Sequence, residues 1–408
     1  MPLEGTQTKA RAQRSLVVVG NGMAAARVVE EILARDAEAF SITMFGAERY
    51  GNYNRILLSN VLNGTQAPEG IFLNPLAWYA ERGIRLHAGV KAVRIDRERR
   101  VVIGRPVRDA ALPYGLDGCD DSAPAIEAPY DRAILATGSR PFVPPIEGAE
   151  TPGTFLFRTI DDCERIAAYA QGCRRAAVIG GGLLGLEAAR GLLAHGLEVT
   201  VLEAAPQLMI AQLDPEAGAL LQKTIEAMGI RIRVDAVTTR VLGGERVSGL
   251  RLKDGSELDT DLVVISAGIR PIIDVAAASG LEVARGVVCD DQLRTSDPDV
   301  FAVGECVEHR GVIYGLVDPI WDQARVLSDV ITGANPGAAY GGSKLATKLK
   351  VMGVELVSMG GVRSPAPDDE VVVYREPARG VYKKLVVRGQ ALAGAILLGE
   401  ADTAGVLT

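Results

Sequence analysis

The sequence predicts an α/β protein in which one strand–helix–strand module is used twice, followed by a small α+β C-terminal domain. Three observations carry this reading. Leu16–Gly20 (LVVVG) and Ala176–Gly180 (AAVIG) are short, wholly apolar runs ending in glycine, the pattern of a strand buried on both faces. Each is followed by a helically spaced segment, 23–34 or Leu183–Ala194, and then by a second strand-like run, Phe40–Phe45 or Glu198–Glu203. Tyr130–Gly138 (YDRAILATG) and Asp261–Gly268 (DLVVISAG) add a matching apolar strand with a glycine exit. Such collinear repetition reads as an internal duplication.

The remaining elements follow in order. Residues 1–14 are polar and lack an apolar segment, so a disordered tail is expected rather than a signal peptide. The first module is expected to be discontinuous, spanning 15–145 and 266–333, with the second at 146–265 and the C-terminal domain at 334–408. Residues 106–129, rich in Pro, Gly and Asp, read as a loop within a strand excursion. In the second module a helix is expected at 214–228, with strands at Ile230–Val234 and Val247–Lys253. Phe301–Gly304 (FAVG) reads as a strand and 319–332 as a helix. Strand-like runs at 354–359, 370–374, 381–387 and 391–398 give the C-terminal domain its separate character.

Composition narrows the function classes. The 408 residues are 48% hydrophobic and 23% charged, as in an ordinary soluble globular chain of two to three domains. Aromatics are only 5% and the net charge is −7, which argues against a nucleic-acid platform. The basic stretch Arg94–Arg100 is interleaved with Asp96 and Glu98 and reads as a solvated turn. No apolar run reaches the roughly 18 residues of a membrane span, and the cytoplasm is the expected location. Cys119, Cys163, Cys173, Cys289 and Cys306 form no CxxC spacing, so neither a metal site nor a redox dithiol is expected. His87, His195 and His309 read as packing or surface residues.

The glycines carry the chemistry. Gly20-Asn21-Gly22-Met23-Ala24-Ala25 is a GxGxxA fingerprint between a strand and a helix. Its first Gly permits a tight turn and its second lets backbone approach a pyrophosphate. The small third residue lets the helix pack on the strand, and the helix N-terminus favours the phosphate charge. Glu48 is the candidate ribose acid, although it falls later than the usual spacing of about 20 residues. Gly180-Gly181-Gly182-Leu183-Leu184-Gly185 is a second fingerprint, with Glu203 at the end of its second strand. A carboxylate there accepts from a 2′-hydroxyl and repels a 2′-phosphate, so NADH is expected over NADPH. Two dinucleotides in one chain suggest FAD on the first module and NADH on the second, because a flavin takes a hydride and releases electrons singly.

These motifs resemble the two-dinucleotide flavoprotein superfamily with glutathione-reductase-like architecture. Within it, the nearest resemblance is to the flavin-binding N-terminal part of the large subunit of NAD(P)H-dependent nitrite reductases. The resemblance runs from about Leu16 to about residue 400. It rests on GNGMAA at 20–25, YNRILLS at 53–59, ATGSRPFVPPIEG at 136–148, FRTIDD at 157–162 and GGGLLGLEAA at 180–189. It continues through ISAGIRP at 265–271, TSDPDVFAVGEC at 295–306, TKLKVMGVE at 347–355 and GVYKKLVV at 380–387.

The resemblance implies that Arg55 contacts FAD and that Ala136, Thr137 and Gly138 lie close to it. Gly304-Glu305 would stand where relatives place the Gly-Asp that binds the ribityl hydroxyls. The segment from Leu316 through Pro319 to Trp321 would aim a helix N-terminus at the flavin, and Gly268 would belong to the NAD site. Ferredoxin reductases usually carry Ser-Lys where this chain has Ser59-Asn60, and that Lys pairs with the residue corresponding to Glu187. With Asn60 the cationic partner is lost, so Glu187, if buried, should gain pKa; a role for both near the hydride path is an expectation. The implied partner is a nitrite or nitrate reductase, or a small iron–sulfur protein if the chain is instead an NADH:rubredoxin or ferredoxin reductase. A redox-sensing flavoprotein with poor turnover is a further alternative, and a homodimer is compatible with each. The sequence stops without the iron–sulfur and siroheme modules of the large subunit, so the cluster-bearing end is expected in another protein.

Overall fold

The computed structural model describes residues 13–108, 118–343, 346–363 and 365–401. The expected tail therefore lies almost wholly outside the described residues, although Arg14 already opens the first strand and pairs with Phe40. The first sheet is parallel, in the order Val300–Ala302, Arg132–Leu135, Arg14–Val19, Phe40–Gly46, Arg85–Ala88. The second is parallel in the equivalent order: Thr154–Leu156, Leu262–Ile265, Arg175–Ile179, Glu198–Leu202, Arg231–Arg233. In both, successive strands first run one way from the founding strand and a later strand, Arg132–Leu135 or Leu262–Ile265, joins its other side. The carboxyl end of the founding strand is thus a switch point, where open α/β sheets form their crevice.

Strand alternation explains why both founding strands are wholly apolar. Leu16 and Val18 face a core shared with the helices Met23–Arg35 and Val317–Thr332, while Val17 and Val19 face the opposite core. Fully burying one such side chain contributes about 1.5–3 kcal/mol. In the second module Ala176 and Val178 face the helix side, and Ala177 and Ile179 face Val241, Leu250 and Leu252.

Each module also carries a three-stranded antiparallel sheet: Val90–Asp96, Val101–Pro106 and Ile126–Pro129 in the first, and Thr238–Gly243, Val247–Leu252 and Glu257–Asp259 in the second. This corrects the expected loop at 106–129. Its last part, Ile126–Pro129, is a strand paired to Val101–Gly104, and Val107 bridges Cys119. Composition hid it because Pro129 ends the strand and the preceding stretch is polar; residues 109–117 lie outside the described part.

The C-terminal sheet is antiparallel, in the order Ala346–Val351, Val354–Gly360, Ala391–Leu398, Val381–Arg388, Glu370–Glu376. Ala346–Val351 is a strand the apolar pattern did not reveal, since its sequence ATKLKV alternates with lysine. Among the described residues this region holds one 3-10 turn, Pro377–Arg379, and no α-helix. Leu356, Val386, Ile396 and Leu398 join the helix-side core of the second module. Ser139–Pro141 pairs antiparallel with Ile269–Pro271, tying together the two stretches of chain that flank the second module. No helix among the described residues is long and apolar enough to cross a membrane.

Candidate functional site

The first crevice opens at the turn after Val19. Gly20 has φ +117°, and a Cβ there would sit 2.1 Å from the Ala136 carbonyl oxygen. Only glycine fits so close an approach. Gly22 precedes the helix Met23–Arg35 without any side-chain cap, and a Cβ on it would meet nothing within 4 Å. The first-turn N–H groups of Met23, Ala24 and Ala25 have no side-chain cap and, as at any helix start, suit an anion. Ala25 is fully buried, as the third fingerprint position requires. Asn21 is locked by Tyr79, whose hydroxyl donates to Asn21 Oδ1 at 2.6 Å.

Distant segments converge on this turn. Gly304 has φ +92°; a Cβ on it would lie 2.7 Å from the Ala24 Cβ, and its N–H donates to Gln323 Oε1 at 2.9 Å. Gln323 belongs to the helix Val317–Thr332, which has no side-chain cap at Leu316. Pro319 is buried in its first turn, and half-buried Trp321 lies under the Arg27 guanidinium at 5.3 Å. Thr137 Oγ1 donates to the Ile272 carbonyl at 2.7 Å, and Gly138 has φ +69° with open space at its missing Cβ.

A polar network lines the crevice. Arg55 pairs with Glu48, and Tyr53 donates to Glu48 Oε2 at 2.5 Å. Arg55 also donates to the Arg158 carbonyl at 3.0 Å. The Arg158 guanidinium bonds Glu305 Oε2 at 2.7 Å, and the Ser139 hydroxyl donates to the same oxygen at 2.6 Å. Burial would raise the pKa of Glu305, but Arg158, Ser139 and Arg55 more than offset it and hold the carboxyl below its ordinary range. The longer side chain of Glu305 thus reaches Arg158 and Ser139. Sequence reasoning assigned no role to Arg158 or Ser139. Their signal was their place inside FRTIDD and beside the ATG exit, but the ion pair spans modules and has no local pattern.

The second crevice repeats the same backbone. Gly180 has φ +121°, with a Cβ that would lie 2.2 Å from the Ser266 carbonyl oxygen. Gly182 starts the helix Leu183–Ala194 uncapped and faces open space. A Cβ on Gly185 would come within 2.0 Å of the Gly180 carbonyl oxygen, so this position demands glycine where Ala25 suffices in the first module. Leu183 and Leu184 are half-buried at the helix start. Glu203 accepts from the Gly181 N–H at 2.6 Å and the Ala205 N–H at 2.8 Å, which fixes its carboxylate at the strand end. Gly268, at φ +108°, accepts from the Phe142 N–H at 2.8 Å, mirroring the Ile272 N–H on the Gly138 carbonyl at 2.9 Å.

Glu187 and Asn60 are not brought together by any hydrogen bond among the described residues. Asn60 Nδ2 reaches Gln66 at 3.4 Å. Glu187 is half-buried rather than buried, and its Oε1 accepts from the Met352 backbone N–H at 2.9 Å. The burial expected of Glu187 is therefore only partial. A backbone amide from the C-terminal domain is its donor, which no sequence spacing could reveal.

The five cysteines are free. Burial pushes the thiols of Cys163, Cys289 and Cys306 up, which makes them poor nucleophiles. No cluster of potential metal ligands occurs among the described residues. Within the Arg94–Arg100 stretch, Arg97 pairs with Asp297, Arg99 with Glu127 and Arg100 with Asp299.

Comparison with known proteins places this geometry. Residues 14–326 match the family of pyridine nucleotide-disulphide oxidoreductases, and residues 346–407 match the rubredoxin NAD+ reductase C-terminal domain. The chain is 44% identical to a nitrite reductase [NAD(P)H] of Bacillus subtilis, covering 96% of this chain and 46% of that protein. It is 39% identical to the assimilatory nitrate reductase electron transfer subunit of the same organism, over 95% of this chain and 48% of the other. It thus spans about half the length of these curated relatives. The solved ferredoxin reductase for the CYP199A2 system of Rhodopseudomonas palustris superposes with a TM-score of 0.81 at 28% identity, covering 96% of this chain and 93% of that one. The chain belongs to the pyridine nucleotide-disulphide oxidoreductase family.

Proposed function

We propose that the chain is an FAD-dependent NADH oxidoreductase that holds FAD in the first crevice, takes NADH in the second, and passes electrons to a redox partner protein of nitrite or nitrate reduction. The observation that carries the reading is the repeated crevice. Both helices start uncapped at a glycine facing open space, but only the second places a backbone-fixed acid, Glu203, at its strand end. Bound FAD supplies a hydride acceptor that can release electrons one at a time.

The chain's residues do the positioning. The N–H groups at 23–25 and 183–185 meet pyrophosphate charge, and Gly20, Gly22, Gly180 and Gly182 allow backbone approach. Glu48 is bridged to Arg55, so it would present its remaining acceptor capacity to a ribose with its charge already neutralised. Glu305, fixed by Arg158 and Ser139, would do the same for polyol hydroxyls, and Ala136–Gly138 would flank the ring. Pro319 and Trp321 shape the helix start, and Gly268 opens the NAD side. Glu187, held by the Met352 N–H, faces the junction with the C-terminal domain. The family's name includes disulphide chemistry, but with five free, scattered cysteines we assign no thiol step.

The match of residues 346–407 to a rubredoxin NAD+ reductase domain favours a second reading, a reductase of rubredoxin or a ferredoxin. Anaerobic NADH titration of the FAD-loaded protein, followed by addition of nitrite reductase, nitrate reductase or rubredoxin, separates the two. Bleaching of the flavin absorbance and its reoxidation by a nitrogen-oxide reductase is the expected result. Reoxidation by rubredoxin alone would overturn the nitrite or nitrate assignment.

A further inference from the structure

We infer that the C-terminal sheet sets the affinity of the second crevice for its nucleotide, through a buried latch of Asp214, Tyr382 and Lys384 that braces the segment 207–214 against Gly181. The inference rests on the reading of that crevice as the NADH site.

The latch is built from charge and burial. Asp214 Oδ2 accepts from the Tyr382 hydroxyl at 2.8 Å and from Lys384 Nζ at 2.9 Å, while Oδ1 caps the helix Pro215–Ala227 through the Ala217 N–H at 3.0 Å. The three residues come from two domains. Asp214 is 7% and Tyr382 3% exposed, and the Lys384 side chain is 12% exposed. Burial opposes ionisation of Asp214, but the Ala217 N–H, Lys384 and Tyr382 outweigh it, so the carboxyl stays charged. A charge-assisted pair so enclosed is geometrically specific. Ser358 adds a bond to the Gln212 carbonyl at 2.6 Å and Arg363 one to the Ile210 carbonyl at 2.8 Å.

The braced segment ends on the fingerprint. Met209 holds a left-handed φ of +50°, uncommon for a side chain of its size. Its N–H donates to the Gly181 carbonyl at 3.1 Å, and its carbonyl accepts from Gln212 and Leu213, each at 2.9 Å. A Cβ on Gly181 would lie 2.6 Å from Leu208 Cδ2, so that side chain packs directly on the glycine. Gly181 in turn donates to Glu203. Leu208, Met209 and Leu213 share one core with Tyr382, Leu356, Ile396 and Leu398. A strained residue persists only where its surroundings over-determine it, and here the surrounding core includes side chains of the C-terminal sheet. Loosening the latch frees Met209 to relax, which releases Gly181 and the carboxylate it orients.

The test uses the full FAD-loaded chain and NAD+ binding measured by calorimetry. Lys384→Ala and Tyr382→Phe both leave the Asp214 helix cap in place. Each is expected to weaken NAD+ binding, Lys384→Ala by about tenfold, the scale of one charge-assisted hydrogen bond. FAD content is expected to stay unchanged and Lys384→Arg to recover most of the loss. Hydrogen exchange at the Met209 amide should quicken in both variants. Arg375→Ala breaks an exposed pair with Glu216 across the same interface and is expected to leave binding unchanged. Binding within twofold of the parent in Lys384→Ala and Tyr382→Phe overturns the inference, as does an equal loss in Arg375→Ala. Should Lys384→Ala not fold, Tyr382→Phe decides alone. A parent chain that keeps FAD but binds no NAD+ overturns the underlying reading instead.

Discussion

Gly20 and Gly180 occupy equivalent turns, with nearly the same φ and the same close approach to the carbonyl just past the neighbouring strand. The crevices they open are nevertheless enclosed differently. Around Gly20 gather Glu48, Arg55, Ala136–Gly138, Ser139, Arg158 and Gly304–Glu305, joined by ion pairs that cross the chain. Around Gly180 the polar fixing is local, with Glu203 turned onto Gly181 and Ala205, and Gly182 exposed. One backbone design thus yields a walled crevice suited to a retained group and an open one suited to a ligand that comes and goes. The helix sides differ as well. The chain's own helix Val317–Thr332 closes the first module, while the C-terminal sheet closes the second.

The sharpest way to break the comparison is to put a methyl at each turn. Gly20→Ala drives a Cβ into the Ala136 carbonyl, and the purified protein is expected to lack most of its flavin absorbance. Gly180→Ala is expected to keep the flavin and lose about a hundredfold in NAD+ affinity, close to 2.7 kcal/mol. Equal flavin loss in both would erase the distinction between retained and exchanging crevices.

A smaller effect is expected from the wall itself. Arg158→Ala removes the cation hydrogen-bonded to Glu305, at a cost of about 2 kcal/mol, less than for a fully buried pair. Thermal denaturation should show it as a lower Tm. The pH dependence has a definite sign. The folded-state pKa of Glu305 is depressed, so its contribution is present above the ordinary carboxylate pKa and is lost as pH falls through the lower folded value. The parent should lose this contribution only in acid below that range, whereas Arg158→Ala should show a smaller step, since Ser139 and Arg55 still favour the charged carboxyl.

Least disruptive is Glu203→Gln, which keeps the shape of the open crevice and removes its charge. Preference for NADH over NADPH is expected to shrink by about tenfold, read as the ratio of kcat/KM values. An unchanged ratio would assign the discrimination to another residue.

Much of this was legible in the sequence. The two founding strands are apolar because both their faces are buried, and the glycines recur because the turns forbid a Cβ. Those constraints are local, so they leave local patterns. Ile126–Pro129 and Ala346–Val351 were missed for the converse reason: both are half-polar strands whose only signal is the partner they pair with. Glu187 was expected near the hydride path beside Asn60, but the donor it meets is a backbone amide far along the chain.

What the sequence by itself determined is therefore the duplicated module, the glycine positions and the acid at Glu203, each set by backbone sterics or strand ends within a short stretch. Tertiary structure alone decided the Arg158–Glu305 pair, the Met352 amide on Glu187 and the Asp214–Lys384 latch. Each joins segments that become neighbours only when the modules and the C-terminal sheet pack together, because ion pairing depends on distance in space and leaves no period along the chain.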